Sequence, residues 1–523
     1  MTTMAQFSQA LKEGEFPVSW SNNFANYGLP LPLFAHQLPA YLGALLIIAG
    51  FSVTTSYNIL MFLGVLVGNL LYFYFLRRYF TSIHSLFATV IMNFFPYRII
   101  NVYIRGGLPE ILASAIFPLL LISIYKINVE RRVSGLFLLA LSVLLLSLCH
   151  PMMLIIYSFP SLLYYLSTIN KKNFSKKLII TILFAFVGVG ISLYYLMPLM
   201  MEMKYFYHGL DKAPIKLSHF LGINNFINPN WYYYLTHPGP RGNFIKLGLY
   251  ETSLIVSSIV AITFLIIKNS IKLTTFLKNN LVFAGFFLST LIAILLVLPV
   301  MAPIFSLPIL RSLQYPWRFL SVIQFTLPFI ILYLFKLCLK KHLNAYLFGL
   351  VLLILIFRVP QLYGKNFVNN VESSYFFTQT NLHSSSLNTI WSGNTEDYPK
   401  KTTQLEVIEG KGIISNELLK NSSRRFSVIS ETDLRIVDYT FYFPGWNVKS
   451  NGQPVEIEFQ DPEYRGLITY RLPKGEHLVE VVYRPTKIRL ISRVISLISV
   501  FALIVLSVIG YKTSLLHKEG FTK

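Results

Sequence analysis

Residues 177–200 read KLIITILFAFVGVGISLYYLMPLM, and after Lys177 the run holds no charged side chain. A helix rises about 1.5 Å per residue, so about 20 such residues cross the roughly 30 Å hydrocarbon layer of a bilayer. Stretches of the same kind recur from Tyr41 to Phe357 and return at 489–511. The rest of the composition agrees. Of 523 residues, 54% are hydrophobic and 13% charged, where a soluble domain carries about 25% charged residues. The 15% aromatic content excludes a disordered chain. The reading is an α-helical polytopic membrane protein, which excludes a soluble enzyme.

Working outward from 177–200, apolar runs long enough to suggest spans lie at 55–76, 82–96, 108–127, 133–149, 151–168, 177–200, 249–268, 280–299, 316–339, 343–358 and 489–511, about eleven in all. The formal charge of +22 follows this pattern. Basic clusters at Arg77-Arg78, Arg131-Arg132, Lys171 to Lys177, Lys268 to Lys278, Lys336 to Lys341 and Lys512 to Lys523 all fall on one side, the cytoplasm by the positive-inside bias. The excess is a topology signal, and no nucleic-acid partner is expected.

The stretch 34–51 is broken by Pro32, His36 and Pro39 and is expected to be interfacial or re-entrant. Residues 1–33 then lie outside, and an outside N-terminus implies a first helix that this chain lacks. Residues 359–488 change character. Leu478-Val479-Glu480-Val481-Val482-Tyr483 alternates with period two, and Asn451-Gly452 and Pro473-Lys474-Gly475 are turn signals. This predicts an extracytoplasmic all-β domain, a sandwich, with Trp446, Val455, Ile457, Val479 and Val481 in its core. The expected organisation is 1–54 as the remnant of a first outer loop with its interfacial segment, 55–358 as the transmembrane core, 359–488 as the β domain, 489–511 as the last helix and 512–523 as a basic cytoplasmic tail.

Cys149 and Cys338 fall at opposite membrane faces and cannot pair. The sequence shows no zinc-type cluster, GxGxxG or Walker loop. Chemistry is therefore sought where charges meet the outer helix ends. The densest cluster runs from Tyr97-Arg98 through Tyr103-Ile104-Arg105 to Pro109-Glu110. Pro109 suits the first turn of a helix, and Glu110 there is favoured by the helix dipole. Glu110 reads either as a cap that pairs with Arg105, or as a general base beside arginines that bind phosphate. His150 is either a polar end-group or a phosphate or sugar contact. Trp317 and Arg318, within Gln314 to Phe319, read as an interfacial belt with a snorkelling arginine, or as part of a site. Trp231 to Tyr234 reads as belt or sugar-stacking surface, with Arg241 nearby. Glu110, Arg98, Arg105, His150 and Arg318 are expected to converge, Glu110 as the catalytic group and the others on a donor phosphate. Tyr103, Trp231, Arg241 and Trp317 are weaker substrate contacts. Glu110→Gln is expected from sequence to preserve folding.

Three stretches carry a family resemblance: Leu11 to Pro17 with Trp20 and Gly28-Leu29-Pro30; Pro96-Tyr97 to Arg105, Glu110 and Pro118, with Cys149-His150; and Gln314-Tyr315-Pro316-Trp317-Arg318-Phe319. Tyr442 to Val448, Asn451-Gly452 and Leu472 to His477 add to it. The chain resembles the bacterial 6-pyruvoyl-tetrahydropterin-synthase-related membrane proteins and the YfhO-like proteins, which look like members of the GT-C glycosyltransferase superfamily. The tetrahydropterin chemistry in the family name would ask for a histidine cluster that this sequence does not show.

The resemblance implies a GT-C-like helical bundle in the cytoplasmic (plasma) membrane. It would transfer a sugar from a polyprenyl-phosphate-linked donor to an envelope glycan, lipid or protein acceptor on the outer face. A divalent metal is compatible, but no ligand cluster demands one. GT-C enzymes place an acidic residue in the first outer loop; here only Glu13 and Glu15 remain of that loop. The alternative is a non-catalytic relative that binds glycolipid or assists envelope assembly; a transporter, with charges near mid-membrane and an inverted repeat, fits less well.

Overall fold

All eleven apolar stretches form helices in the computed structural model, which describes residues 1–22, 27–169, 174–206, 215–227, 245–268, 270, 272–338, 342–359, 362, 373–378, 388–393 and 403–519. Six are long and apolar enough to cross a bilayer: Val53–Leu76, Leu108–Asn128, Phe174–Tyr205, Leu249–Lys268, Pro316–Cys338 and Lys487–Val508. Two bent pairs, Ser82–Asn93 with Pro96–Ile104 at 56° and Leu273–Asn279 with Leu281–Leu296 at 115°, bring the number to eight if each pair is one span. The eleven expected spans thus become six to eight among the described residues. Length is the reason. Ser134–Cys149 and Leu343–Arg358 have 16 residues each, about 24 Å of helix against a roughly 30 Å layer. Pro151–Thr168 is diluted by Tyr157, Tyr164, Tyr165 and Pro160.

The chain divides into two compact units. One comprises Leu60–Ile191, Pro214–Phe367 and Ile498–Lys523 and is helical. Its centre is formed by Leu108–Asn128 and Pro316–Cys338, whose apolar windows are each 78% buried, against 28% for Leu249–Lys268. Helices apolar all round belong inside a bundle, and these two qualify. Phe117 stacks on Tyr157 with centroids 4.2 Å apart, and Phe325 meets Phe117 edge-on at 5.1 Å. Gly68 lets Val53–Leu76 approach: a Cβ there would sit 3.1 Å from the Ala115 Cα, the close contact that small residues permit between membrane helices.

The other unit comprises Met1–Ile59, Ser192–Ala213 and Val368–Leu497. Among the described residues its β-sandwich has eight strands: β1 (Leu405–Glu409), β2 (Gly412–Leu419), β3 (Ser423–Ser430), β4 (Leu434–Phe441), β5 (Trp446–Ser450), β6 (Gln453–Val455), β7 (Leu467–Leu472) and β8 (Gly475–Tyr483). They form antiparallel sheets of order β1-β4-β7 and β2-β3-β8-β5-β6. Val479, Val481 and Tyr483 alternate inward along β8, as the period-two pattern requires. Asn451 and Gly452 both have positive φ, 49° and 79°, the two-residue turn that joins β5 to β6. Pro473-Lys474 instead joins strands of different sheets.

Trp446, Val479 and Val481 are buried in the core, and Val455 and Ile457 pack against it half-buried. Trp20 and Phe206 lie in the same core, although each is more than 180 residues from the nearest strand in sequence. An unanticipated helix, Thr2–Lys12, buries Met4, Phe7 and Ala10 in this unit. A charge is also buried: Arg424, 1% exposed, faces Asp438, 0% exposed, at 3.3 Å. Arg424 also lies 4.6 Å from the Trp446 ring centre, and burial pushes its guanidinium below the ordinary arginine range while Asp438 acts against that shift.

Candidate functional site

The site forms at the start of the Leu108–Asn128 helix. Gly107 precedes it, Pro109 occupies its first turn, and Glu110 follows where the aligned peptide dipoles favour an anion. Before it, the chain turns through Pro96–Ile99 and a wide π-type turn, Ile100–Ile104. Tyr97, Asn101 and Arg105, spaced four apart, therefore present one face to the carboxylate. Oε2 of Glu110 accepts hydrogen bonds from the Tyr97 hydroxyl at 2.6 Å, Asn101 Nδ2 at 3.2 Å and Arg105 Nη1 at 2.9 Å. Oε1 accepts from Arg105 Nη2 and from Arg318 Nε, each at 3.0 Å. Nε2 of His150 lies 3.9 Å from Oε1. Five donors on one carboxylate fill its acceptor sites.

Arg318 is held by its other donors. Nη1 donates to the Leu313 carbonyl at 2.7 Å, and the guanidinium lies 5.1 Å from the Tyr315 ring centre. Trp317 is buried and stacks on Tyr315 with centroids 4.4 Å apart. Arg105 is held by Asn101 Oδ1 at 2.5 Å. Burial works against the Arg105 charge, but Tyr97 and Glu110 outweigh it and hold its pKa above the ordinary arginine range. Two arginines and a nearby histidine thus share one buried carboxylate.

Glu110, Arg105, His150 and Arg318 come together as expected; Arg98 does not join them. One residue along a helix turns about 100°, so Arg98 faces away from its neighbour Tyr97. Its Nη2 donates to the Val65 carbonyl at 3.0 Å and to Asn69 Oδ1 at 3.2 Å. Arg98 is 1% exposed and has no ion pair among the described residues. Tyr103 is 51% exposed, outside the carboxylate network. Trp231 and Arg241, with the run to Tyr234, lie outside the described residues.

Tyr97 and Asn101 belong to the network although the sequence reading gave them no role; the four-residue steps from Tyr97 to Asn101 to Arg105 were the available signal. A second buried pair had no such signal. Arg358 Nη2 donates to both oxygens of Glu251, at 3.0 and 2.8 Å, across 107 residues of chain. Gly248, at φ +93°, makes room for it: a Cβ would stand 3.0 Å from Glu251 Oε2. Glu13 and Glu15 are engaged as well. Glu13 accepts from the Asn421 backbone N–H at 2.6 Å, and Glu15 Oε1 accepts from the Ser19 N–H and hydroxyl, each at 2.7 Å. Among the described residues no three His, Cys, Asp or Glu side chains lie close enough to hold a metal ion.

Apolar helices of spanning length, with charges gathered at the helix ends, define a polytopic helical membrane protein. The chain belongs to the 6-pyruvoyl-tetrahydropterin synthase related domain family, a family of membrane proteins, which it matches over residues 34–363. No curated protein and no solved structure matches the chain.

Proposed function

We propose that the chain is a GT-C-type glycosyltransferase of the cytoplasmic membrane, moving a sugar from a polyprenyl-phosphate-linked donor to an envelope acceptor on the outer face. The observation that carries this reading is the charge imbalance around Glu110, where Arg105 and Arg318 both bind a single carboxylate and His150 stands 3.9 Å away. The surplus positive charge suits a lipid phosphate. In the transfer, the acceptor oxygen bonds to the anomeric carbon as the bond from that carbon to the phosphate oxygen breaks. The acceptor proton is lost, and the phosphate leaves on the polyprenyl chain. Fixed guanidiniums stabilise that leaving charge without reorganising. Glu110, with its acceptor sites filled, holds the guanidiniums in place. It is a positioning residue here, and the acceptor proton passes to an oxygen of the departing phosphate.

The same saturation favours a second reading, a glycolipid-binding protein without turnover. A reconstituted transfer assay with a panel of radiolabelled polyprenyl-phosphate sugars separates the two. Turnover by the wild-type chain is expected, with Arg318→Ala lowering it at least about tenfold, or roughly 1.4 kcal/mol of barrier. Donor binding without turnover selects the second reading. Full activity of a folded Arg318→Ala variant removes the site.

This reading needs 201–248 and 359–488 outside and the Lys171–Lys177 loop inside. Single cysteines at positions 420 and 176, treated with an impermeant reagent in intact cells, are expected to label at 420 alone. Labelling at 176 alone reverses the orientation.

A further inference from the structure

A cleft in the sandwich-bearing unit is separate from the Glu110 cluster. Pro17, Val18, Leu33 and Gln37 form one wall, Tyr194 and Tyr195 another, and Arg489 and Arg493 a third. The walls are joined by specific bonds: the Tyr194 backbone N–H donates to Ser496 Oγ at 2.8 Å, and Gln37 Nε2 donates to the Pro32 carbonyl at 2.7 Å.

The two arginines differ. Arg489 is consumed: Nε and Nη2 bind Glu202 Oε2 at 2.9 and 2.8 Å, and Nη2 also donates to the Pro444 carbonyl at 3.2 Å. Glu202 in turn accepts from the Thr486 hydroxyl at 2.7 Å. Arg493 is half-buried and has no hydrogen bond or ion pair among the described residues. Glu15 acts on it electrostatically, and its oxygens accept from Ser19 and, at 3.0 Å, from Asn421 Nδ2. The cleft therefore carries a guanidinium with no hydrogen-bond or ion-pair partner among the described residues.

Its position points to the ligand. Arg489 and Arg493 occupy the first turns of the spanning helix Lys487–Val508, and Tyr194 and Tyr195 lie about three turns before the end of Phe174–Tyr205. An arginine in the first turns of a spanning helix reaches the level of lipid headgroups. On the same turns as Arg493, Leu490, Ile491, Val494 and Leu497 are 50 to 69% exposed, an apolar surface suited to acyl chains.

We infer that this cleft binds the phosphate headgroup of a membrane phospholipid, with the phosphate on Arg493, a tyrosine beside it, and the acyl chains along the exposed face of the Lys487–Val508 helix. Guanidinium binds phosphate through paired N–H donors. The inference does not rest on sugar transfer, and a chain without transferase activity would keep the site.

The test uses the intact, delipidated protein in detergent, titrated with dioctanoyl phosphatidylglycerol, dioctanoylglycerol or inorganic phosphate. A phosphatidylglycerol probe with a diazirine near its ester carbonyl maps the bound position. Phosphatidylglycerol is expected to bind at least about tenfold more tightly than dioctanoylglycerol, a difference of about 1.4 kcal/mol. Millimolar phosphate should fail to displace it, and crosslinks should fall within 487–497 or 33–37. Arg493→Gln and Gln37→Glu should each remove the preference and the crosslink, and Arg493→Lys should keep both. Equal binding of the two lipids, or crosslinks confined to other segments, overturns the site. Displacement by phosphate alone makes free phosphate the ligand and overturns the lipid assignment. Because the wild-type crosslink is read directly, a variant that fails to fold does not remove the test.

Discussion

Glu110→Gln is expected to destabilise the helical unit by about 3–5 kcal/mol, the cost of breaking a buried ion pair from one side. The carboxylate is 3% exposed and answers five donors, two of its partners being guanidiniums. Glutamine keeps the size but replaces one acceptor oxygen with an NH2 that faces further donors. It leaves Arg105 and Arg318 with no counter-charge at hydrogen-bond distance. The sequence reading, in which this substitution preserves folding, is therefore reversed: it treated Glu110 as a group at the outer surface, and the structure buries it as the hub of a network. Thermal unfolding in detergent is the measurement. Removing the network as a unit, with Glu110→Gln, Arg105→Met and Arg318→Met together, should recover part of the loss, since apolar groups replace a buried ion cluster with little penalty. An unchanged melting temperature for Glu110→Gln alone would show that the carboxylate does not hold the helix ends.

Trp446→Ala should cost a comparable amount, about 3–5 kcal/mol, because the indole is 4% exposed in a closed core. The ring meets Trp20 edge-on with centroids 5.0 Å apart, Tyr483 at 5.1 Å and the Arg424 guanidinium at 4.6 Å. Its loss opens a cavity beside a buried charge pair, and water entering there would weaken the Arg424–Asp438 attraction as well. The comparison must use the intact chain, since Trp20 and Phe206 supply part of the same core. A Trp446→Ala chain that unfolds at the wild-type temperature would place the ring outside the load of the sandwich.

What could be read from sequence follows from how far each signal reaches. Hydropathy located every apolar helix because it is a local property of a continuous run. It does not register that Ser134–Cys149 is only 16 residues long, or that Leu281–Leu296 bends by 115° from Leu273–Asn279. The period-two pattern of β8 and the Asn451-Gly452 turn were equally local and equally legible. At the site, Arg105, His150, Arg318 and Glu110 were recognisable as charges at helix ends. Arg98 was misplaced because a cluster of charges near a helix end does not by itself dictate which neighbours share a face. Partnerships across long stretches left no trace: Glu251 with Arg358, Glu202 with Arg489, and Trp20 with Trp446.

The last of these partnerships bears on how the molecule is made. Trp20 leaves the ribosome well ahead of its ring contacts Trp446 and Tyr483, which are more than 400 residues downstream. At roughly 5–20 residues per second, the first segment waits on the order of 20–90 s before its partners exist. During that interval Trp20 lacks the sandwich core into which it packs, whereas Thr2–Lys12 already has the Gln37–Ile48 helix of its own unit, with Phe7, Ala10, Ala40 and Ala44 in one cluster. Closing so long a loop is also the slow kind of folding event, in which chain entropy is lost before contacts repay it. Synthesis of this chain thus calls for a chaperone or the membrane surface to shelter Trp20, and a stop codon anywhere before Tyr483 would leave unfinished a structure started hundreds of residues earlier.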